Sequence, residues 1–160
     1  MILYHGSTQI VREPQILVPN RTLDYGAGFY ATTSESQARE WVKRKLSADR
    51  TGYVNVYQFD DAASSNLKRL VFSTPPAEDW VDFVHANRTQ KGFEHDYDLV
   101  YGPVANDRVY AAFALYEQGL LDKQVLIREL KTYRLVDQIL FHSKESLEFL
   151  HFIEAKEVRE

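Results

Sequence analysis

The chain has 160 residues, 44% hydrophobic and 26% charged, which suits one folded domain with its own core. It has no cysteine, which excludes a disulfide scaffold, a cysteine-ligated metal and a thiol nucleophile. The formal net charge is −4, and the basic clusters Lys43-Arg44-Lys45 and Lys68-Arg69 are short, so broad nucleic-acid binding is disfavoured while binding of a single nucleotide is not.

The chain begins apolar, and residues 2–5 read as a buried first strand. Residues 8–28 carry Pro14, Pro19, Gly26 and Gly28 and read as irregular. Ser34 offers a helix N-cap, and Gln37 three residues later completes a capping-box pattern. The helix that follows places Ala38, Trp41, Val42 and Leu46 on one face. Residues 53–59 alternate and read as a strand, Pro75-Pro76 breaks the chain, and a second helix is predicted over 77–88. Residues 97–101 read as a strand stopped by Gly102-Pro103. Helices are predicted over 106–118 and 122–131, with Gly119 between them, and a strand over 134–141. Ser143 can cap a last helix carrying Leu147, Leu150 and Ile153, and residues 155–160 read as a charged, frayed end.

This order is not the strict alternation of a doubly wound sheet. It predicts a single α+β domain over residues 1–160, with a mixed, largely antiparallel sheet and helices packed around it. There is no secretory signal, and no apolar run approaches the ~20 residues needed to cross a bilayer, so a cytoplasmic protein without membrane contact is expected. Ten Tyr, nine Phe and two Trp can fill a core or line a pocket for a flat ligand, and composition does not separate the two uses.

No phosphate loop, G-x-G-x-x-G, H-E-x-x-H or G-x-S-x-G occurs. Two constellations carry the chemistry. In Tyr4-His5-Gly6-Ser7, a histidine can bond a ribose hydroxyl while the glycine leaves bare backbone that a flat ring can approach. The same histidine also reads as a satisfied core residue at a strand end. In Asp24-Tyr25-Gly26-Ala27-Gly28-Phe29-Tyr30, two glycines allow a tight turn beside a ligand. Tyr30 and Trp41, eleven residues apart, can sandwich a heterocycle such as nicotinamide. A tight turn with two ordinary core aromatics is the alternative.

Gly26-Ala27-Gly28-Phe29-Tyr30, followed by Ser34, Ser36 and Trp41, resembles the donor-loop segment of poly-ADP-ribose polymerases, tankyrases especially. His5-Gly6 resembles the His-Gly of that family's first strand. The whole chain, including the segments 98–107 and 137–142, is similar to an ADP-ribosyltransferase-like family of uncharacterised bacterial proteins, related to diphtheria-toxin-type transferases. The resemblance implies an ADP-ribosyltransferase-like split sheet and NAD as donor substrate. It implies that His5 bonds the 2′-hydroxyl of the nicotinamide ribose, that the Gly6 backbone bonds the carboxamide, and that Tyr30 and Trp41 hold the ring beside Gly28. Trp41 stands where a Tyr is usual. Ala38 replaces a Ser that bonds the carboxamide, a contact for which Thr32 or Ser36 could substitute.

Gln138 falls where polymerase-type members carry a catalytic Glu, so the negative charge that stabilises the departing nicotinamide's ribose is missing there. Asp137 is adjacent, but strand alternation sends it to the opposite face. Asp107 is then the candidate acid, with a helix N-cap as its other reading. Arg21 can meet a pyrophosphate or can be a solvated loop residue. The Glu94-His95-Asp96 and Asp98 run does not suggest a metal, because adjacent residues of an extended chain cannot all face one ion.

These readings lead to an NAD-dependent mono-ADP-ribosyltransferase, toxin-like, modifying an unidentified protein or nucleic-acid acceptor, with a neutralising antitoxin-like partner as a further expectation. The alternatives are a catalytically degenerate module that binds NAD or ADP-ribose, and an interaction protein that uses the fold as a scaffold.

Overall fold

A computed structural model describes residues 1–17, 23–46, 50–104, 107–133 and 135–159, with all their side chains except those of Asp107 and Arg108. Its elements in chain order are β1 (Ile2–Ser7), β2 (Phe29–Ala31), α1 (Glu35–Lys45), β3 (Gly52–Phe59), β4 (Arg69–Val71), α2 (Glu78–Thr89), β5 (Leu99–Pro103), α3 (Asp107–Glu117), α4 (Lys123–Leu130), β6 (Asp137–Phe141), α5 (Lys144–Leu147) and β7 (Leu150–Val158).

The strands form two sheets. One has the order β1-β3-β7 and is antiparallel throughout. The other has the order β2-β6-β5-β4 and is antiparallel except for the β4–β5 pair. The sheets are linked where β1 meets the end of β2. There Tyr4 and Thr32 exchange both backbone hydrogen bonds, at 2.8 and 2.9 Å. The protein is thus α+β with two largely antiparallel sheets.

Period-2 alternation builds the layers. Leu3, Tyr57, Phe59 and Leu150 of the first sheet pack against Phe29, Leu99, Ile139 and Phe141 of the second. Edge-on ring pairs, Phe29 with Tyr57 and Phe59 with Phe141, join the two faces. The outer face of the first sheet, with Val54 and Val158, is covered by Ala38 and Val42 of α1 and by Leu46, its C-cap. The outer face of the second, with Val100 and Leu140, is covered by Trp80, Val84, Phe113, Leu126 and Leu130 of α2, α3 and α4. Much of the aromatic content therefore fills core.

The structure corrects several expectations. The last helix stops at Leu147, and residues 150–158 form β7, the partner of β3. Leu150 and Ile153 therefore sit on a strand, and Ala155 to Val158 is paired rather than frayed. The spacing of Leu147, Leu150 and Ile153 mimicked a helix, but hydrogen bonding to the open edge of β3 decided the conformation. Gly102 and Pro103 do not stop β5; they pair with Gln138 and Asp137 inside it. Strands β2 and β4, three residues each, lie in segments that carried no readable alternation. Ser34 caps α1 by accepting from the Gln37 N–H at 3.2 Å, but the reciprocal arm differs: the Ser34 N–H donates to Thr32 Oγ1 at 3.0 Å. Trp41 turns away from the buried stripe of α1 and is 38% exposed.

Among the described residues no helix is long and apolar enough to cross a membrane.

Candidate functional site

The seam between the sheets opens into a cavity of about 560 Å³. β1 contributes Tyr4, His5 and Gly6, β2 Tyr30 and Ala31, α1 Gln37, Ala38 and Trp41, and β6 Asp137 and Gln138. The far wall is polar: Asp24 from the loop before β2, Arg88 from α2, and Tyr110 and Glu117 from α3.

His5 is fixed by its Nδ1, which donates to the Tyr30 carbonyl at 2.6 Å, and its ring lies 4.2 Å from that of Phe29. Burial lowers its pKa to about 4, against the opposing effect of the Tyr30 bond and with a small contribution from the Lys45 charge. The ring is therefore neutral near pH 7. Because a carbonyl only accepts, Nδ1 carries the proton and Nε2 is an acceptor.

Gly6 lines the cavity, but its missing side chain serves the fold first. A Cβ there would lie 2.4 Å from the Ala38 carbonyl oxygen and 2.7 Å from Val42 Cγ2, so α1 can rest on β1 only over glycine. Gly28 plays a similar part against β6. It has φ +147°, and a Cβ would come within 2.3 Å of the Phe141 carbonyl oxygen. Gly28 does not reach the cavity wall; it lets the loop that carries Asp24 run close along β6.

That loop is clamped from both sides. Inside, the Tyr30 hydroxyl donates to the Gly26 carbonyl at 2.6 Å and accepts from the Tyr25 N–H at 3.1 Å. Outside, His95 Nε2 donates to the Tyr25 carbonyl at 2.7 Å, and His142 Nδ1 lies 2.6 Å from the Ala27 carbonyl oxygen. Tyr25 is buried and anchors the loop to the second core. It accepts from Trp80 Nε1 at 2.9 Å and donates to the Pro103 carbonyl at 2.8 Å. Tyr30 is thus held in place by its hydroxyl, while Trp41 stands at the opening with the Lys45 ammonium 4.5 Å from its ring centroid.

Two carboxylates in the wall differ in how well they are satisfied. Asp137 takes hydrogen bonds from Thr32 Oγ1 at 3.1 Å, the Thr33 N–H at 2.9 Å, Thr33 Oγ1 at 2.5 Å and the Tyr101 hydroxyl at 2.8 Å. It shares the parity of Ile139 and Phe141, as alternation requires, yet as the first residue of β6 it still reaches the rim. Asp24 is 7% exposed and held loosely. Arg88 Nη1 lies 3.7 Å away, and the Tyr110 hydroxyl donates from 3.4 Å. Arg88 is closer to Glu117, at 3.0 Å from Nε. Burial raises the Asp24 pKa, while Arg88, Tyr110 and Gln138 act against that rise. The Gln138 amide approaches Asp24 and Tyr25. Its Nε2 nevertheless has no hydrogen-bond partner, although the residue is only 8% exposed.

Of the residues singled out in the sequence, His5, Gly6, Tyr30, Thr32, Trp41 and Gln138 share this cavity. The Thr32 hydroxyl is engaged by Asp137 and Ser34, which leaves it poorly placed to replace a lost carboxamide contact. Ser36 bonds the Ser34 hydroxyl at 3.1 Å and is exposed outside the wall. Asp107 opens α3, but its side chain lies outside the described residues, as does all of Arg21. Of the acidic run near β5, Asp96 pairs with the Lys68 ammonium and Asp98 accepts from the Lys68 N–H, so both carboxylates bond Lys68.

The sequence reading missed Asp24, Arg88, Tyr110 and Glu117. Asp24 had a signal, a carboxylate at the head of the Gly-rich turn 24–30. Arg88 and Glu117 lie on helices and belong to no motif that would mark them.

The family model described as "Protein of unknown function (DUF3990)" matches residues 1–152, and the chain belongs to that family. No curated protein and no solved structure matches it.

Proposed function

We propose that this member of the DUF3990 family binds NAD in the seam cavity and transfers its ADP-ribose to an acceptor. One observation carries the reading. Residues from the start, the first third and the end of the chain, His5, Tyr30 with Trp41, and Gln138, line one cavity of about 560 Å³, a size suited to a small-molecule ligand.

The chemistry of the wall supports it. A neutral His5 offers Nε2 as an acceptor for a ribose hydroxyl. Tyr30, immobilised by its hydroxyl, and Trp41 at the mouth are the two faces for a nicotinamide ring. In the reaction, the bond between C1′ and the nicotinamide nitrogen breaks and its electron pair stays with nicotinamide. The positive charge left on the ribose is quenched by a lone pair of the acceptor, which then loses a proton. The protein's part is to hold the dinucleotide and acceptor in line and to face the charge with fixed dipoles. The acceptor is a protein, a nucleic acid or water. The reading has the protein act in the cytoplasm, with a neutralising partner if the activity is toxic.

A second reading, an NAD- or ADP-ribose-binding module without turnover, is favoured by the neutral amide of Gln138 where related transferases are expected to carry a carboxylate. Incubation with NAD, following free nicotinamide with and without cell extract as acceptor, separates the two. Release above the rate of the boiled protein supports transfer. No release, together with a rise in the thermal unfolding midpoint on adding NAD, supports the module. Neither release nor stabilisation at millimolar NAD removes both.

A further inference from the structure

We propose that Asp24 is a catalytic residue of this cleft: the carboxylate that faces the nicotinamide ribose, working with the amide of Gln138. The inference rests on the NAD reading and goes beyond it by supplying the charge that Gln138 lacks.

Two features of the wall point the same way. Gln138 Nε2 is a buried donor without an acceptor, on a side chain that lines the cavity. An unmet donor in such a place is costly unless a ligand supplies the acceptor. A ribose hydroxyl is such an acceptor, and it also carries a proton that must be donated onward. Asp24 is a loosely bonded carboxylate of the wall, as is Glu117, whose Oε1 has the Arg88 ion pair but no hydrogen-bond partner; the Gln138 amide, however, approaches Asp24. Its contacts at 3.7 and 3.4 Å are well beyond the 2.7–2.9 Å of a settled charge-assisted bond. Asp137, by contrast, has four bonds of 3.1 Å or less and no capacity to spare. A hydroxyl that accepts from Gln138 and donates to Asp24 satisfies both groups at once.

The same geometry sets the carboxylate where charge develops. As the C1′–N bond breaks, the ribose becomes positive, and a carboxylate in a water-poor site stabilises that charge far more than it would in water. Arg88, Tyr110 and Gln138 act against the rise in pKa that burial gives Asp24, and Arg88 does so without quenching the carboxylate, because its shorter contact goes to Glu117. Asp24 remains aspartate through the reaction; the acceptor's proton leaves with solvent.

The test uses the full chain and NAD, with nicotinamide release in water as the readout of turnover and calorimetry as the readout of binding. Asp24→Asn keeps the shape and removes the charge, and Arg88 retains Glu117, so the fold should survive. Release should fall 100-fold or more while NAD affinity changes less than about threefold, in line with the loss of one preorganised charge. Formate added to Asp24→Ser should restore at least a tenfold gain, which a merely structural role would not produce. That second variant also decides the matter if Asp24→Asn does not fold. Unchanged release overturns the inference, as does a loss of affinity with no loss of maximal rate, or a failure of formate to rescue. If the wild type binds and cleaves NAD and the variants behave like it, the inference alone fails. If the wild type does neither, the NAD reading fails and Asp24 with it.

Discussion

Acidification should weaken this fold partly through one residue, His5. In the unfolded chain a histidine titrates at its ordinary value of 6.5; in the fold, burial holds His5 to about 4. The sign follows from proton counting. Between those values the unfolded chain binds a proton that the folded one refuses, so stability present above pH 6.5 is lost as pH falls toward 4. The full difference corresponds to about 3 kcal/mol, and most of it has gone by pH 4.5. His95, also lowered by burial, and Asp24, raised by it, titrate as well. A comparison of variants removes their contribution. Urea unfolding of the wild type and of His5→Gln should be measured at pH 7.5 and 4.5. The wild type should lose about 2–3 kcal/mol more than the variant over that interval, whatever their starting stabilities. Equal losses would refute the reasoning. His5 would then not be held neutral, and Nε2 would not be the acceptor on which the ribose contact depends.

Other perturbations follow from single contacts. Gly6→Ala should destabilise by about 1–3 kcal/mol in urea unfolding, because the new Cβ meets the backbone of α1 at Ala38 and not a yielding side-chain tip. Tyr30→Phe should cost about 1–2 kcal/mol of stability by freeing the Gly26 carbonyl and the Tyr25 N–H. Tyr30→Ala in folded protein should also weaken NAD binding by about 1 kcal/mol or more in calorimetry. Asp137→Asn should cost about 2 kcal/mol in urea unfolding, since it disrupts a hub joining Thr32, Thr33 and Tyr101. Gln138→Glu should give nicotinamide release no faster than the wild type, because a second carboxylate beside Asp24 drives the pair to share a proton. A tenfold gain would instead identify Gln138 as the missing charge.

How much of this was legible in the sequence depended on range. Ser34 as a cap, the stripe Ala38, Val42 and Leu46, and the alternation of residues 53–59 are local signals, and they hold in the structure. The convergence of His5, Tyr30, Trp41 and Gln138 came from the order and spacing of motifs within a resemblance, not from periodicity. Strand β7 was invisible because apolar residues three apart satisfy a helix as well as chance does, and only the edge of β3, some hundred residues earlier, selects the strand. The polar wall was hidden for a related reason. Asp24, Arg88 and Glu117 lie far apart in sequence and meet only because α2 and α3 fold over the second sheet. The reason for Gly6 was also only half visible: the close approach it permits is first that of α1.

The central claim is that the seam cavity is a nicotinamide-nucleotide site, and a crystal structure of the protein with NAD tests it most directly. The account expects the nicotinamide ring between Tyr30 and Trp41, with a ribose hydroxyl within hydrogen-bonding distance of His5 Nε2 and the Gln138 amide. NAD seated elsewhere, or a cavity that stays free of it at saturating concentration, would contradict the account.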